Sequence, residues 1–238
     1  MINFAILAAG EGSRLKSEGI DVPKPLLEIN GTPMIARLIN IFKNHGAKRV
    51  HIVINTQSLP LKDYLDSKNF GLPIDILIKD TPSSLHTFHE LVKTNPHWNN
   101  CCLTTTDTIF REEDFTGYIQ NFKNEPNADA FMGLTPFIDD ESPLYISTNS
   151  SLEIESFTDI KTTSSTYVSG GIYGLRQKAL NLVSTSIEQG NSRMRNYQRS
   201  LLENNLSVKG YVFDKIVDVD HVQDRETAEA FLKEQNHK

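Results

Sequence analysis

Six apolar residues, Phe4-Ala5-Ile6-Leu7-Ala8-Ala9, run without a break into Gly10-Glu11-Gly12-Ser13-Arg14-Leu15, and few folds accommodate that junction. A continuous apolar run marks a strand covered on both faces, as in parallel sheets flanked by helices. The strand ends at Ala8 or Ala9, and the glycines that follow let the backbone turn its N–H groups toward one point. Such a cluster of amides suits the phosphate oxygens of a nucleoside triphosphate. Arg14 adds a planar guanidinium and Lys24 a compact charge on a long stem. Pro23 and Pro25 restrict the backbone on both sides of that lysine.

The alternation continues along the chain. Predicted strands occupy 3–8, 49–54, 74–78, 101–106 and 128–134, and predicted helices 33–44, 85–93 and 112–123. From Ser142 shorter runs at 144–147, 152–157 and 167–175, separated by Ser/Thr/Asn-rich turns, read as a small antiparallel lobe that binds an acceptor. Helices at 177–188 and 194–203, strands at 208–213 and 216–219, and an amphipathic helix from Gln223 close the chain. The predicted fold is α/β, a Rossmann-like, doubly wound, mostly parallel sheet in one domain over 1–238. Its nucleotide-binding half is 1–136; the acceptor lobe and closing elements are 137–238. In such sheets ligands bind beyond the carboxyl ends of the strands, where residues 10–14, Asn55 and Asp107 emerge.

Composition excludes several classes. The net charge is −6 with no Lys/Arg run, which argues against nucleic acid or an anionic membrane as partner, so phosphate attraction is local. No window approaches the roughly 18 apolar residues of a membrane span, and Met1-Ile2-Asn3-Phe4 enters the first strand with no basic leader; a cytoplasmic protein is expected. Cys101 and Cys102 are adjacent, a spacing unsuited to an ordinary disulfide and too few thiols for zinc; they read as small hydrophobes in a buried strand. The seven histidines show no ligand spacing. Nothing in the chain speaks to its oligomeric state.

Two common phosphate motifs fail: the dinucleotide fingerprint needs glycine where Leu15 stands, and G-x-x-x-x-G-K-[ST] is absent. What fits is L-A-A-G-x-G-[ST]-R-[LM] at Leu7 to Leu15, followed by P-K-P-L at Pro23 to Leu26. On these motifs the chain resembles the sugar-phosphate nucleotidyltransferases, the NDP-sugar pyrophosphorylases. Segments 83–85 and 218–224 are also similar to those of choline-phosphate cytidylyltransferases.

The resemblance implies a Mg²⁺-dependent transfer of NMP from an NTP to a phosphorylated small molecule, a sugar 1-phosphate first, with pyrophosphate leaving. It implies triphosphate contacts from Ala8, Ala9, Gly10, Glu11, Gly12, Ser13, Arg14 and Lys24, with Arg14 and Lys24 catalytic. Ser83 and Ser84 are expected at the base or as a helix cap, and Gly170 and Gly171, in Ser169-Gly170-Gly171-Ile172-Tyr173, at the acceptor. Asp107, which ends a predicted strand, together with Asp218 or Asp220 is expected to hold the metal. A strand through Asp218-Val219-Asp220 puts both acids on one face, and magnesium takes one or two carboxylates with phosphate oxygens and water. Asp224 reads as a charge at a helix N-terminus. A phosphate monoester, with a second pKa of about 6, needs no general base.

One element departs from the pattern. Where many sugar enzymes of this family carry E-K-P with an acceptor-phosphate lysine, this chain has Thr158-Asp159-Ile160, and Lys161 is displaced. The alternative reading is a CTP-dependent cytidylyltransferase acting on phosphocholine or another alcohol phosphate, with Trp98, Tyr145, Tyr167 and Tyr173 available either for a cage around a quaternary ammonium or for ordinary packing. Arg193, Arg195 and Arg199 read as a solvated helix face or as an acceptor-phosphate group. A GT-A-type glycosyltransferase, with Asp218-Val219-Asp220 as its D-x-D, is the alternative from another class.

Overall fold

The computed structural model describes residues 1–139 and 141–234. From β1 (Asn3–Ala8) the chain passes through a short helix α1 (Ser13–Ser17), a 3₁₀ turn (Lys24–Leu26) and a hairpin of β2 (Glu28–Ile29) and β3 (Thr32–Pro33) into α2 (Met34–Asn44). Then follow β4 (Val50–Ile54), α3 (Leu59–Ser67), β5 (Ile74–Ile78), α4 (Ser84–Thr94), β6 (Asn100–Thr105), β7 (Thr108–Ile109) and α5 (Glu112–Asn124). The second half comprises β8 (Ala130–Thr135), β9 (Tyr145–Thr148), β10 (Ile154–Thr158), β11 (Tyr167–Arg176), α6 (Gln177–Glu188), α7 (Met194–Glu203), β12 (Val208–Val212), β13 (Val217–Asp218) and α8 (Val222–Lys233).

The main sheet runs β5-β4-β1-β6-β11-β8-β12, with β9 and β10 joined to the start of β11. Strands β5, β4, β1 and β6 are parallel, β11 is antiparallel to both its neighbours, and β8 and β12 are parallel. The expected α/β fold, a central mostly parallel sheet with a small antiparallel lobe, is therefore the one observed. Strands of the second half continue the sheet begun by the first.

The doubly wound arrangement follows from strand alternation. In β1, Phe4, Ile6 and Ala8 face one core, shared with Ile35, Leu38, Ile39 and Phe42 of α2, while Ala5 and Leu7 face the other, shared with Leu85, Phe88 and Leu91 of α4. Each of these larger side chains contributes about 1.5–3 kcal/mol by burial. The adjacent cysteines obey the same alternation: Cys102 lies in the first core and Cys101 in the second. Both thiols are free and buried, and burial pushes their pKa values up. A third core gathers Leu15 of α1, Leu27, Ile29, Met34, Ile109, Val217, Val219 and Ala228 and Phe231 of α8. It packs the closing helix against the glycine-rich segment at the other end of the sequence.

Three departures from the sequence reading have physical causes. Helix α3 was not expected; it buries only Leu61 and Leu65 and carries Pro60 in its first turn, too sparse an apolar stripe to announce itself. Strand β7 and its partner β13 are two residues each, joined through Val217↔Ile109 and Asp218↔Thr108. The strand expected at 216–219 thus ends at Asp218 and does not persist to Asp220, because the Asp220 and His221 N–H groups turn to Asp224 Oδ2 at 2.9 and 2.6 Å. Asp224 is the helix-terminal carboxylate it was read as. No helix among the described residues is long and apolar enough to cross a membrane.

Candidate active site

At the carboxyl end of β1 the loop from Ala9 to Gly12 opens into α1, and its two glycines serve different ends. Gly12 sits in the left-handed region at φ 61°, and a Cβ there would lie 3.0 Å from Lys24 Cβ, so only glycine fits without strain. A Cβ on Gly10 would meet nothing within 4 Å; that side of the loop is open to a ligand. Ala9, Gly10, Glu11, Gly12, Ser13, Arg14 and Lys24 all line a cavity of about 780 Å³. Ala8 does not line it, a correction that follows from strand alternation: its side chain points into the first core and is 1% exposed.

Lys24 begins the 3₁₀ turn, held by Leu26 N–H to Pro23 O at 2.8 Å and Leu27 N–H to Lys24 O at 3.0 Å. Its Nζ donates to Asp107 Oδ2 at 2.7 Å and to Asp220 Oδ1 at 2.5 Å. Burial works against the ammonium, but Asp107, Asp220 and Asp218 outweigh it and hold the pKa above the ordinary lysine range. Burial likewise opposes the Asp107 carboxylate, and the charge and hydrogen bond of Lys24, with the Thr105 hydroxyl, hold its pKa below the usual range. Arg14 pairs with Asp220 Oδ2. Asp107 and Asp220 therefore converge on one cation, the Lys24 ammonium, and two carboxylates beside an open glycine-turned loop are a donor set that magnesium accepts. No cluster of three or more ligating side chains occurs among the described residues.

Asp218 also acts on Lys24 through its charge. With Thr105, Asp107, Gly171, Tyr173, Arg193, Arg195 and Gln198 it lines a second cavity of about 270 Å³. The two cavities share Ser84, Thr105 and Asp107, so Asp107 stands where they meet. Asp218 and Asp220 also line one small cavity with Arg14, although the chain leaves the strand between them.

Ser83 and Ser84 line the larger cavity, but both hydroxyls are engaged: Ser83 Oγ contacts the Ser192 carbonyl and His86 Nδ1, and Ser84 Oγ accepts from Met194 N–H at 3.2 Å. They tie the start of α4 to the start of α7. Gly170 and Gly171 lie at the irregular stretch of β11 between Ser169 and Tyr173. A Cβ on Gly170 would meet Ile216 Cδ1 at 2.3 Å, and one on Gly171, at φ +71°, would meet Thr108 Oγ1 at 2.6 Å and Thr105 Oγ1 at 2.8 Å. Gly171→Ala is expected to lower stability by roughly 2–4 kcal/mol, combining left-handed strain with overpacking; urea unfolding checks this, and a loss below about 0.5 kcal/mol, the scale of a neutral surface change, contradicts it.

Asn55 lies on the rim where it was expected to emerge, whereas Gln57, Asp80 and Thr87 were missed by the sequence reading. Asn55 Nδ2 donates to Ala9 O at 3.0 Å, and Asp80 accepts from Thr56 N–H at 2.9 Å and Thr56 Oγ1 at 2.6 Å; Asn55, Gln57, Asp80 and Thr87 line the larger cavity. Asn55 and Asp80 follow the ends of β4 and β5, the positions where parallel sheets place ligand contacts. The four aromatic residues do not converge on a cage. Only Tyr173 lines the second cavity, while Trp98 is 4% exposed and packs on His51, ring centroids 4.8 Å apart.

Residues 4–160 match the family model described as the MobA-like NTP transferase domain. A 2-aminoethylphosphonate cytidylyltransferase of Lancefieldella rimae is 42% identical over 79 residues, 33% of this chain and 30% of that protein. A glucose-1-phosphate cytidylyltransferase of Salmonella typhimurium is 30% identical over 104 residues, 43% of this chain and 38% of that protein. The aligned stretches span about a third of the length of these relatives. Among solved structures, the inositol-1-phosphate CTP transferase from T. maritima superposes with a TM-score of 0.81 at 18% identity, covering 98% of this chain and 96% of that one. That likeness shows the fold.

Proposed function

Since the chain belongs to the MobA-like NTP transferase domain family, we propose that it transfers a nucleoside monophosphate from an NTP to a sugar 1-phosphate, releasing pyrophosphate. The observation that carries this reading is the convergence of Lys24, Asp107 and Asp220 at the junction of a glycine-rimmed cavity and a second, smaller one. The larger cavity has the size of a ligand site and takes the NTP. The smaller takes the acceptor.

An oxygen of the acceptor phosphate attacks the α-phosphorus; the new P–O bond forms as the bond to the β-phosphate bridging oxygen breaks, and the electron pair leaves with pyrophosphate. The nucleophile is largely a dianion above pH about 6 and needs no base. Arg14, Lys24 and the amides of residues 10–13 bind and orient the triphosphate, and the rate comes from positioning and charge neutralisation. Asp107 and Asp220 would hold a magnesium ion, which when bound neutralises charge on the phosphate oxygens. The side chains that line both cavities keep the two substrates side by side at Asp107.

A second reading, a cytidylyltransferase acting on a non-sugar phosphate or phosphonate, is favoured by the identity to the 2-aminoethylphosphonate enzyme. Pyrophosphate release, measured with Mg²⁺ across ATP, CTP, GTP, UTP and dTTP crossed with sugar 1-phosphates, phosphocholine and 2-aminoethylphosphonate, separates the two. Turnover with a sugar 1-phosphate is the expected result. Turnover confined to CTP and a non-sugar acceptor selects the second reading, and NTP binding without release from any pair overturns both.

A further inference from the structure

We propose that Arg193 and Arg195 form the acceptor's anion site, binding a phosphomonoester or phosphonate in the cavity beside Asp107; this rests on the nucleotidyltransferase reading of the same cleft. That cavity already contains Asp107 and Asp218. A phosphate dianion enters such a place only where nearby cations offset the like charge. Arg193 and Arg195 are the cations lining it, and the displaced Lys161 is exposed and does not.

The two arginines are prepared differently. Arg195 is fixed in advance: Nη1 donates to Asp159 Oδ1 at 2.8 Å and Nη2 to the Ser142 carbonyl at 2.7 Å. Asp159 also receives Arg199 Nη2 at 2.6 Å, and these hydrogen bonds, that of Arg199 first, hold its carboxyl pKa below the ordinary range. The acid that interrupts the expected lysine element is thereby an orienting residue for Arg195. Arg193, at the start of α7, is exposed and forms no ion pair with a described residue. Its fork is free to take two oxygens of a phosphate.

A buried amide completes the arrangement. Gln198 is 2% exposed, lines the same cavity, and accepts the Ser169 hydroxyl on Oε1 at 2.9 Å. Its amide can supply a neutral contact to a ligand oxygen in the same cavity. The shared chemistry is a tetrahedral oxyanion on a small body, which sugar phosphates, alcohol phosphates and phosphonates all present.

The test uses Arg193→Ala and Arg195→Ala in pyrophosphate-release assays, with whichever of glucose 1-phosphate, phosphocholine and 2-aminoethylphosphonate the wild type accepts. Each variant is expected to raise the acceptor KM about tenfold to a hundredfold, the scale of a lost charge-assisted contact, while NTP affinity, titrated without acceptor, moves less than about twofold. Arg195→Lys restores part of the loss, because it returns charge without the fork, and Asp159→Asn raises the acceptor KM by a smaller factor. Unchanged acceptor KM in both alanine variants overturns the proposal and leaves nucleotidyl transfer standing. Absence of turnover in the wild type instead defeats the reading of the reaction. The arginines are then judged by calorimetry of the same three compounds against protein loaded with a non-hydrolysable NTP analogue: binding lost in the variants supports the site, and binding absent in the wild type or equal in all overturns it.

Discussion

Asp107→Asn is expected to lower pyrophosphate release by at least about a hundredfold at saturating substrates, the loss typical of removing one charged contact to a transferring group. The substitution keeps the shape of the side chain and removes only its charge. Asp107 is also the residue shared by both cavities and paired with Lys24, so nucleotide and acceptor sides are disturbed together. The fold should survive, since Lys24 retains Asp220 and the backbone bond from Val219 N–H to Asp107 O, 3.0 Å, does not use the side chain. Denaturant unfolding is expected to show a cost of about 1–3 kcal/mol. A folded variant with activity within tenfold of wild type would remove Asp107 from the reaction. The pH dependence gives a second reading of the same residue. Its pKa is lowered on folding, so its stabilising contribution is present above the unfolded value near pH 4 and is lost as pH falls through the lower folded value. Activity, limited by protonation of the acceptor phosphate, falls already below pH about 6.

Lys24→Met is expected to abolish measurable turnover and also to change how the protein responds to metal. The ammonium bridges Asp107 and Asp220 at 2.7 and 2.5 Å. Without it two partly buried carboxylates face each other with only Arg14, on Asp220, as a cation beside them, at a cost of about 1–3 kcal/mol and with the Asp107 pKa driven upward. Magnesium added without nucleotide should then stabilise the variant more than the wild type, because no ammonium competes for the carboxylates. Thermal unfolding across a Mg²⁺ titration measures this. An identical response in both proteins would mean that Lys24 and the ion do not share those ligands, and the proposed magnesium position would be wrong. In the wild type the folded-state pKa of Lys24 is raised, so its contribution is complete below the unfolded value of about 10.4 and fades only as pH rises through the folded one. Lys24 accordingly sets no basic limb near neutral pH.

Much of the framework was legible in the residues because it is local. Apolar runs of strand length identified β1, β4, β5 and β6, and i, i+3, i+4 spacing identified α2 from Ile35, Leu38, Ile39 and Phe42. The glycine-turned loop and its two cations were legible for the same reason, since Gly12, Arg14 and Lys24 lie within one short stretch of chain. Helix α3 and the two-residue strands β7 and β13 were not, because an element that buries few side chains leaves little periodicity. The engagement of the Ser83 hydroxyl with Ser192, 109 residues away, has no local signature at all.

The sequence by itself determined a doubly wound sheet, a glycine-turned loop with two cations attached, and an acid at the end of a central strand. Only the tertiary structure decided which distant groups join them. Asp220 meets Lys24 across 196 residues, and Arg195 is set by Asp159 across 36. The reason lies in the third core: burying Leu15, Val217, Val219 and Phe231 together brings the closing segment onto the glycine-turned loop. Side-chain burial of that kind depends on the whole packed arrangement, and spacing along the chain carries no record of it.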